Sequence, residues 1–341
     1  MTPYSHVPAA PFAPANVEAY CSTGTSPGRS GHLRVPLDLD HGGRQEVDVL
    51  YEVYGPADPA PIVVLGGISA DRHLAPTGSR PTPGWWPGVI DVGGALDTSR
   101  HRLVGIDYLA GPTSPIASTG PVTSHDQARA IACVLDEIGA PSASVVGASY
   151  GGLVALAFTE LFPERVSRLV ILCAAHRTHP MATALRAIQR DIVKLGQGAG
   201  RAEAGVALAR ALAMTTYRST REFEERFDVR PTDETLPPRF PVEEYLEAQG
   251  ASFASRFDAN SFLCLSESID LHFVEPERIT PPTTLLSVDT DALAPPWLVD
   301  ELASGAPGVQ RHVTLTSVFG HDAFLKEVAS VSAVIREALG P

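Results

Sequence analysis

Gly147-Ala148-Ser149-Tyr150-Gly151-Gly152 places a serine at the apex of a glycine-flanked turn. Ser142–Val146 before it has the apolar, β-branched character of a strand. Leu153 to Glu160 after it has that of a helix. Strand, sharp turn and helix around G-x-S-x-G make a nucleophile elbow, in which the glycines on both sides of the serine are expected to let the backbone take a strained turn that lifts the hydroxyl clear of the sheet. A glycine-rich turn without chemistry is the alternative. A serine hydroxyl attacks a carbonyl only when a base takes its proton and a carboxylate orients that base. His321, in Ser317-Val318-Phe319-Gly320-His321, follows the last strand-like segment, where the base belongs. Among the other histidines, His6, His32 and His41 come too early, and His101 and His312 flank strands. His176 and His179 have metal-like spacing but no carboxylate partner nearby, so no metal is expected.

The acid belongs after the strand Thr283–Val288, where Asp289 and Asp291 are the candidates. Asp291 lies beyond the strand end and is preferred; Asp289 reads as a turn or capping residue. Two backbone N–H groups should hold the oxyanion. Tyr150 would supply one, and Ile68, in the Gly66-Gly67-Ile68 turn after an early buried strand, the other.

Strand-like segments at Gly31–Asp38, Val47–Tyr54, Pro61–Leu65, Arg102–Asp107, Val166–Cys173, Thr283–Val288 and Arg311–Thr316, with a helix over Ser124–Ile138, frame these residues. Strands alternating with helices imply an α/β fold: a mostly parallel sheet with helices on both faces. The alternation stops over 176–282, which reads as an inserted helical lid. Its helices are expected at Ala182–Leu195, Ala202–Met214, Val242–Ser255 and Ser261–Leu271. The core is then 29–175 with 283–341, and residues 1–28, rich in Pro, Ala, Ser and Gly, read as a poorly ordered tail.

At 341 residues the chain can bury a large core. A net charge of −13 without a basic run disfavours nucleic acid. No apolar run suits a membrane span and no signal peptide is evident, so cytoplasm is the expected address. Cys21, Cys133, Cys173 and Cys264 are scattered, and read as reduced residues rather than disulfides or a zinc site.

Eight motifs occur in order: Gly84-Trp85-Trp86, Ser118-Thr119-Gly120-Pro121, the elbow, Thr216-Tyr217-Arg218-Ser219, Tyr245-Leu246-Glu247-x-Gln249-Gly250, Arg256-Phe257-Asp258-x-Asn260-Ser261, Asp291-x-Leu293-x-Pro295 and Gly320-His321-Asp322-x-Phe324-Leu325. Together, from about residue 31 onward, they resemble the homoserine O-acyltransferases of the α/β-hydrolase fold. The resemblance implies acyl transfer from acyl-CoA, a co-substrate rather than a bound cofactor, to the hydroxyl of L-homoserine, towards methionine. It implies Ser149, Asp291 and His321 as the triad, Arg218 for the homoserine carboxylate and Asp322 for its ammonium. It also implies a homodimer joined through lid helices.

The chain departs from the family at Tyr150, where methionine is usual, and in the Gly66-Gly67-Ile68-Ser69 loop, where many relatives carry His-Ala-Leu-Thr. It is also short between Gly120 and the elbow. The first two departures bear on the acyl donor. Arg186 and Arg190, four residues apart on one helix face, could grip a succinyl carboxylate. With the short chain and the tyrosine elbow, this favours succinyl-CoA, with Arg186 as the donor-reading residue. Acetyl-CoA as donor, L-serine as acceptor, and an esterase on the same fold are the alternatives.

Overall fold

A computed structural model describes residues 28–116, 120–232 and 237–340. Cys21 and the expected tail up to residue 27 lie outside them, as do Ser118 and Thr119 of the second motif. Eight strands form one sheet in the order β1-β2-β4-β3-β5-β6-β7-β8. The strands are β1 Gly28–Leu39, β2 Gly43–Tyr54, β3 Ile62–Leu65, β4 Leu103–Ile106, β5 Ala143–Ala148, β6 Val166–Leu172, β7 Thr283–Val288 and β8 Val309–Leu315. From β4 through β8 all neighbours are parallel, whereas the β1–β2 hairpin joins through β2 antiparallel to β4. β3, β4 and β7 are buried at every residue, because helices cover both sheet faces.

Two apolar layers sandwich the sheet. On one face, α1 Ser124–Glu137 and α2 Tyr150–Leu161 pack through Ile131, Leu135, Leu156 and Phe158. The capping box of Thr123 and Asp126 starts α1. On the other face, Trp86, Leu96 and the helix α10 Val328–Leu339 pack through Val331 and Ile335. The chain leaves the sheet between β6 and β7 and forms five helices among the described residues. They are α3 Pro180–Gly198, α4 Ala202–Tyr217, α5 Thr220–Arg226, α6 Pro241–Ala254 and α7 Ala259–Asp270. Four match the expected segments. The seven-residue α5 is additional, too short for periodicity to reveal it. Two further helices follow β7 and β8: α8 Pro296–Gly305 and α9 Ala323–Lys326. No helix among the described residues is long and apolar enough to cross a membrane.

Candidate active site

The elbow geometry differs in one respect from the sequence expectation. The strained residue is Ser149 itself, at φ 55° and ψ −124°. The flanking glycines serve close approach instead. A Cβ on Gly147 would lie 2.4 Å from the Gly151 carbonyl oxygen, and one on Gly151 would lie 2.4 Å from the Leu65 carbonyl group. A non-glycine residue at positive φ costs on the order of 1–3 kcal/mol. The surrounding bonds hold it there: Ser149 N–H donates to Leu172 O, and Gly151 N–H donates to Gly66 O, 2.9 and 2.8 Å.

Ser149 Oγ lies 2.8 Å from His321 Nε2, and His321 Nδ1 lies 2.7 Å from Asp291 Oδ2. An ionised carboxylate only accepts, so Nδ1 carries the proton and Nε2 is left to accept from the serine hydroxyl. The other Asp291 oxygen accepts from the N–H groups of Leu293 and Ala294 at 2.8 and 3.0 Å, which fixes the carboxylate in its loop. Asp289 faces elsewhere and accepts from the Ser317 N–H at 3.1 Å. Burial alone would depress the His321 pKa. The charge and hydrogen bond of Asp291, with the charge of Asp322, outweigh that, and Arg186 opposes them; the net position is above the ordinary imidazole value.

Several elements hold the His321 loop. Trp86 Nε1–H donates to Phe324 O at 2.9 Å, which gives the Gly84-Trp85-Trp86 motif a purpose. The Ser219 hydroxyl donates to Val318 O. Gly320 sits at φ 57°, and a Cβ there would meet the Tyr217 carbonyl oxygen at 2.8 Å. Only glycine meets both constraints. The Thr216-Tyr217-Arg218-Ser219 motif thus packs directly against the turn that carries the histidine.

Ile68 and Tyr150 both line the cleft beside Ser149. Tyr150 opens α2, where N–H groups lack intrahelical partners. The turn bearing Ile68 is anchored through Gly66 O, which accepts from both Gly151 N–H and the Tyr108 hydroxyl, the latter at 2.6 Å. The Tyr150 side chain is buried, its hydroxyl 2.7 Å from Ser268 Oγ on α7 and its ring edge-on to Tyr108 at 4.7 Å. This link to the inserted helices joins residues 118 positions apart and leaves no local signal in the chain.

Asp322 lines the cleft next to His321, but Arg218 is not among the lining residues. Arg218 Nη1 donates to both Glu222 oxygens at 2.9 and 3.2 Å, and its Nε lies 3.1 Å from Asp322 Oδ2. Burial works against its charge, while Asp322, Tyr245 and Glu222 hold its pKa above the ordinary guanidinium value. Arg186 does line the cleft, and Arg186 with Arg190 converges on one carboxylate, Asp270 of α7, each at 2.6 Å. Two guanidinium groups on one carboxylate leave that cluster with one net positive charge. His179 caps α3 by accepting from Met181 N–H, and His176 packs against Phe273. Among the described residues no group of three or more His, Cys, Asp or Glu could hold a metal, and Cys133, Cys173 and Cys264 are free thiols.

Residues 60–328 match the family described as alpha/beta hydrolase fold. The chain is 42% identical over 315 residues to a homoserine O-succinyltransferase of Xanthomonas campestris pv. campestris, covering 92% of this chain and 84% of that protein. It is 36% identical over 351 residues to a homoserine O-acetyltransferase of Thermobifida fusca, covering 90% and 92%. In three dimensions it is similar to a homoserine O-acetyltransferase from Bacillus anthracis, with a TM-score of 0.82 at 17% identity, covering 93% of this chain and 98% of that one. At that identity the likeness speaks for the fold.

Proposed function

From the premise that this chain belongs to the α/β-hydrolase-fold homoserine O-acyltransferases, we propose that it moves a succinyl group from succinyl-CoA to the hydroxyl of L-homoserine. The observation that carries the reaction type is the hydrogen-bonded row Ser149–His321–Asp291 opening into a cleft lined by Asp322. Ser149 attacks the thioester carbonyl while His321 Nε2 takes its proton, and the N–H groups of Ile68 and Tyr150 stabilise the tetrahedral anion. The C–S bond breaks, and the CoA thiolate leaves with the proton from His321. Homoserine enters with its ammonium against Asp322. His321 deprotonates its hydroxyl, which attacks the acyl-serine carbonyl; the acyl–Oγ bond then breaks, and His321 returns that proton to Ser149 Oγ, which restores both groups for the next cycle. Acyl-CoA is a co-substrate in this scheme, and methionine synthesis is its place in metabolism.

Arg186 supports the succinyl donor. It lies in the cleft wall, close enough for its charge to reach His321, and it belongs to a cluster with one net positive charge. A planar guanidinium suits a terminal carboxylate. Arg218, enclosed by Glu222 and Asp322, would turn towards the homoserine carboxylate by exchanging one of those partners.

The deciding experiment is release of free CoA thiol by the purified protein from succinyl-CoA or acetyl-CoA, each with and without L-homoserine. Homoserine-dependent release from succinyl-CoA supports the proposal. Preference for acetyl-CoA, or no change in preference on Arg186→Leu, removes the donor role of Arg186. Release at equal rate without homoserine makes the protein a hydrolase.

The reading extends to a cytoplasmic homodimer joined through the inserted helices. Met181, Ile188 and Leu195 recur every seven residues on α3 and are all exposed, an apolar stripe on one helix face. Ile188→Asp should convert a dimer in sedimentation to a monomer; a monomeric wild type would dismiss this part.

A further inference from the structure

The turn after β3 that carries Ile68 stands between two open spaces. Ile68, Ser69 and Ala70 line the cleft that holds Ser149, and the same three residues line a second cavity of about 240 Å³. Phe253, Phe257 and Leu265, from the inserted part, line that second cavity as well. A backbone with space on both sides lacks the close contacts that fix a packed segment. Its path matters all the same, because a Cβ on Gly67 would lie 3.9 Å from Ser149 Oγ.

Polar tethers hold the two ends of this turn, and they come from consecutive residues at the end of β4. At the near end, the Tyr108 hydroxyl donates to Gly66 O at 2.6 Å. At the far end, Asp107 Oδ1 accepts from the Arg72 N–H at 2.7 Å, and Oδ2 accepts from the Arg72 guanidinium. Between them, Ala70 N–H donates to Gly67 O at 2.9 Å and closes the turn. Asp107 is itself fixed. It is buried, its N–H donates to Leu50 O of β2 at 2.9 Å, and the Thr113 hydroxyl donates to its Oδ2. The Arg72 backbone also sits hard against β4, since a Cβ on Gly105 would lie 2.2 Å from Arg72 O. Hydrogen bonds to an ionised carboxylate are the stronger kind, so the far tether outweighs the near one.

We propose that Asp107 is a positioning residue of the acyl-transfer site: by holding Arg72 it fixes the far end of the turn 66–72, and so the direction of the Ile68 N–H. This rests on the acyl transfer proposed above, with Ile68 as an oxyanion donor, and adds the residue that holds that donor in place. An oxyanion donor acts at the transition state, so the effect of Asp107 belongs in kcat rather than KM.

The test is thiol release in the presence of L-homoserine by wild type, Asp107→Asn, Asp107→Ala and Thr113→Val. Beside it, inhibition by propylboronic acid is measured, whose tetrahedral adduct on Ser149 puts an oxygen where the oxyanion forms. Asparagine keeps an acceptor for the Arg72 N–H but loses the charge. Asp107→Asn should therefore lower kcat about tenfold with little change in KM, and Asp107→Ala should lose more, on the order of 10². Boronate affinity should fall by the same factors. Thr113→Val takes a hydroxyl from the same carboxylate without touching the turn, and should leave kcat nearly unchanged. An unaltered kcat in Asp107→Asn overturns the proposal. So does a fall in kcat with boronate inhibition unchanged, which places the loss away from the oxyanion. An equal loss in Thr113→Val overturns it too, and makes Asp107 a general support of its loop. Should Asp107→Ala fail to fold, Asp107→Asn decides alone. A wild type that releases thiol without homoserine ends the transferase reading and leaves these comparisons intact, because hydrolysis passes through the same oxyanion.

Discussion

The Arg218 guanidinium lies 3.1 Å from the Asp322 carboxylate, so the residues suited to the two ends of a zwitterion hold each other before any substrate arrives. On the proposed function, entry of an amino acid would exchange an internal ion pair for intermolecular ones. Asp322 also raises the His321 pKa, so on that reading one residue would act on both binding and the base.

The base must be neutral to accept a proton, and its pKa in the fold stands above the ordinary value of about 6.5. The rate should therefore fall as pH drops through that raised value, and the acid limb of kcat/KM should lie above 6.5. Removing a charge that favours the imidazolium lowers the pKa. Asp322→Asn should accordingly move the limb to lower pH, while Arg186→Gln, which removes an opposing charge, should move it higher. A pH profile of thiol release measures both; immobile limbs would contradict the electrostatic account.

Ser149→Ala and Ser149→Gly should both abolish acyl transfer, yet differ in stability. Alanine keeps the positive-φ strain at the elbow, and glycine removes it. Ser149→Gly should therefore melt above Ser149→Ala, by about 1 kcal/mol of stability. Equal melting temperatures would mean that the elbow carries no strain.

Tyr108→Phe removes the hydroxyl that fixes Gly66 O, and with it one anchor of the turn bearing Ile68. The loss should appear in kcat with KM little altered, because an oxyanion donor acts at the transition state. Deleting a donor outright costs on the order of 10² to 10³; loosening one should cost less, about tenfold. A change in KM alone would assign Tyr108 to substrate binding instead.

Asp291→Asn should leave the fold intact and lower kcat by on the order of 10⁴, by favouring the tautomer with the proton on Nε2. Asp289→Asn should act on stability, through the Ser317 N–H that Asp289 holds. Comparable losses of kcat in both variants would reject the preference for Asp291.

What could be read from the chain was written locally. The elbow, the strand before Asp291 and the glycine before His321 are short grammars in which neighbours along the sequence are neighbours in space. The break in alternation after Cys173 marked the departure from the sheet in the same way. What could not be read joins distant residues. The antiparallel placement of β2 against β4, the Tyr150–Ser268 bond and the pairing of Arg218 with Asp322 leave no periodic trace. The elbow glycines serve close approach rather than backbone freedom, a role set by the Leu65 and Gly151 carbonyl groups that come against them in space.

Ser149 and His321 are separated by 172 positions, and β7 and β8 must join the far edge of the sheet before they meet. Contacts of such separation repay their loop-closure entropy only after the intervening chain has collapsed. A nascent or refolding polypeptide is therefore catalytically silent until assembly is complete. The return of turnover after denaturation therefore reports assembly of the whole sheet, from β5 to β8, and not of any local element alone.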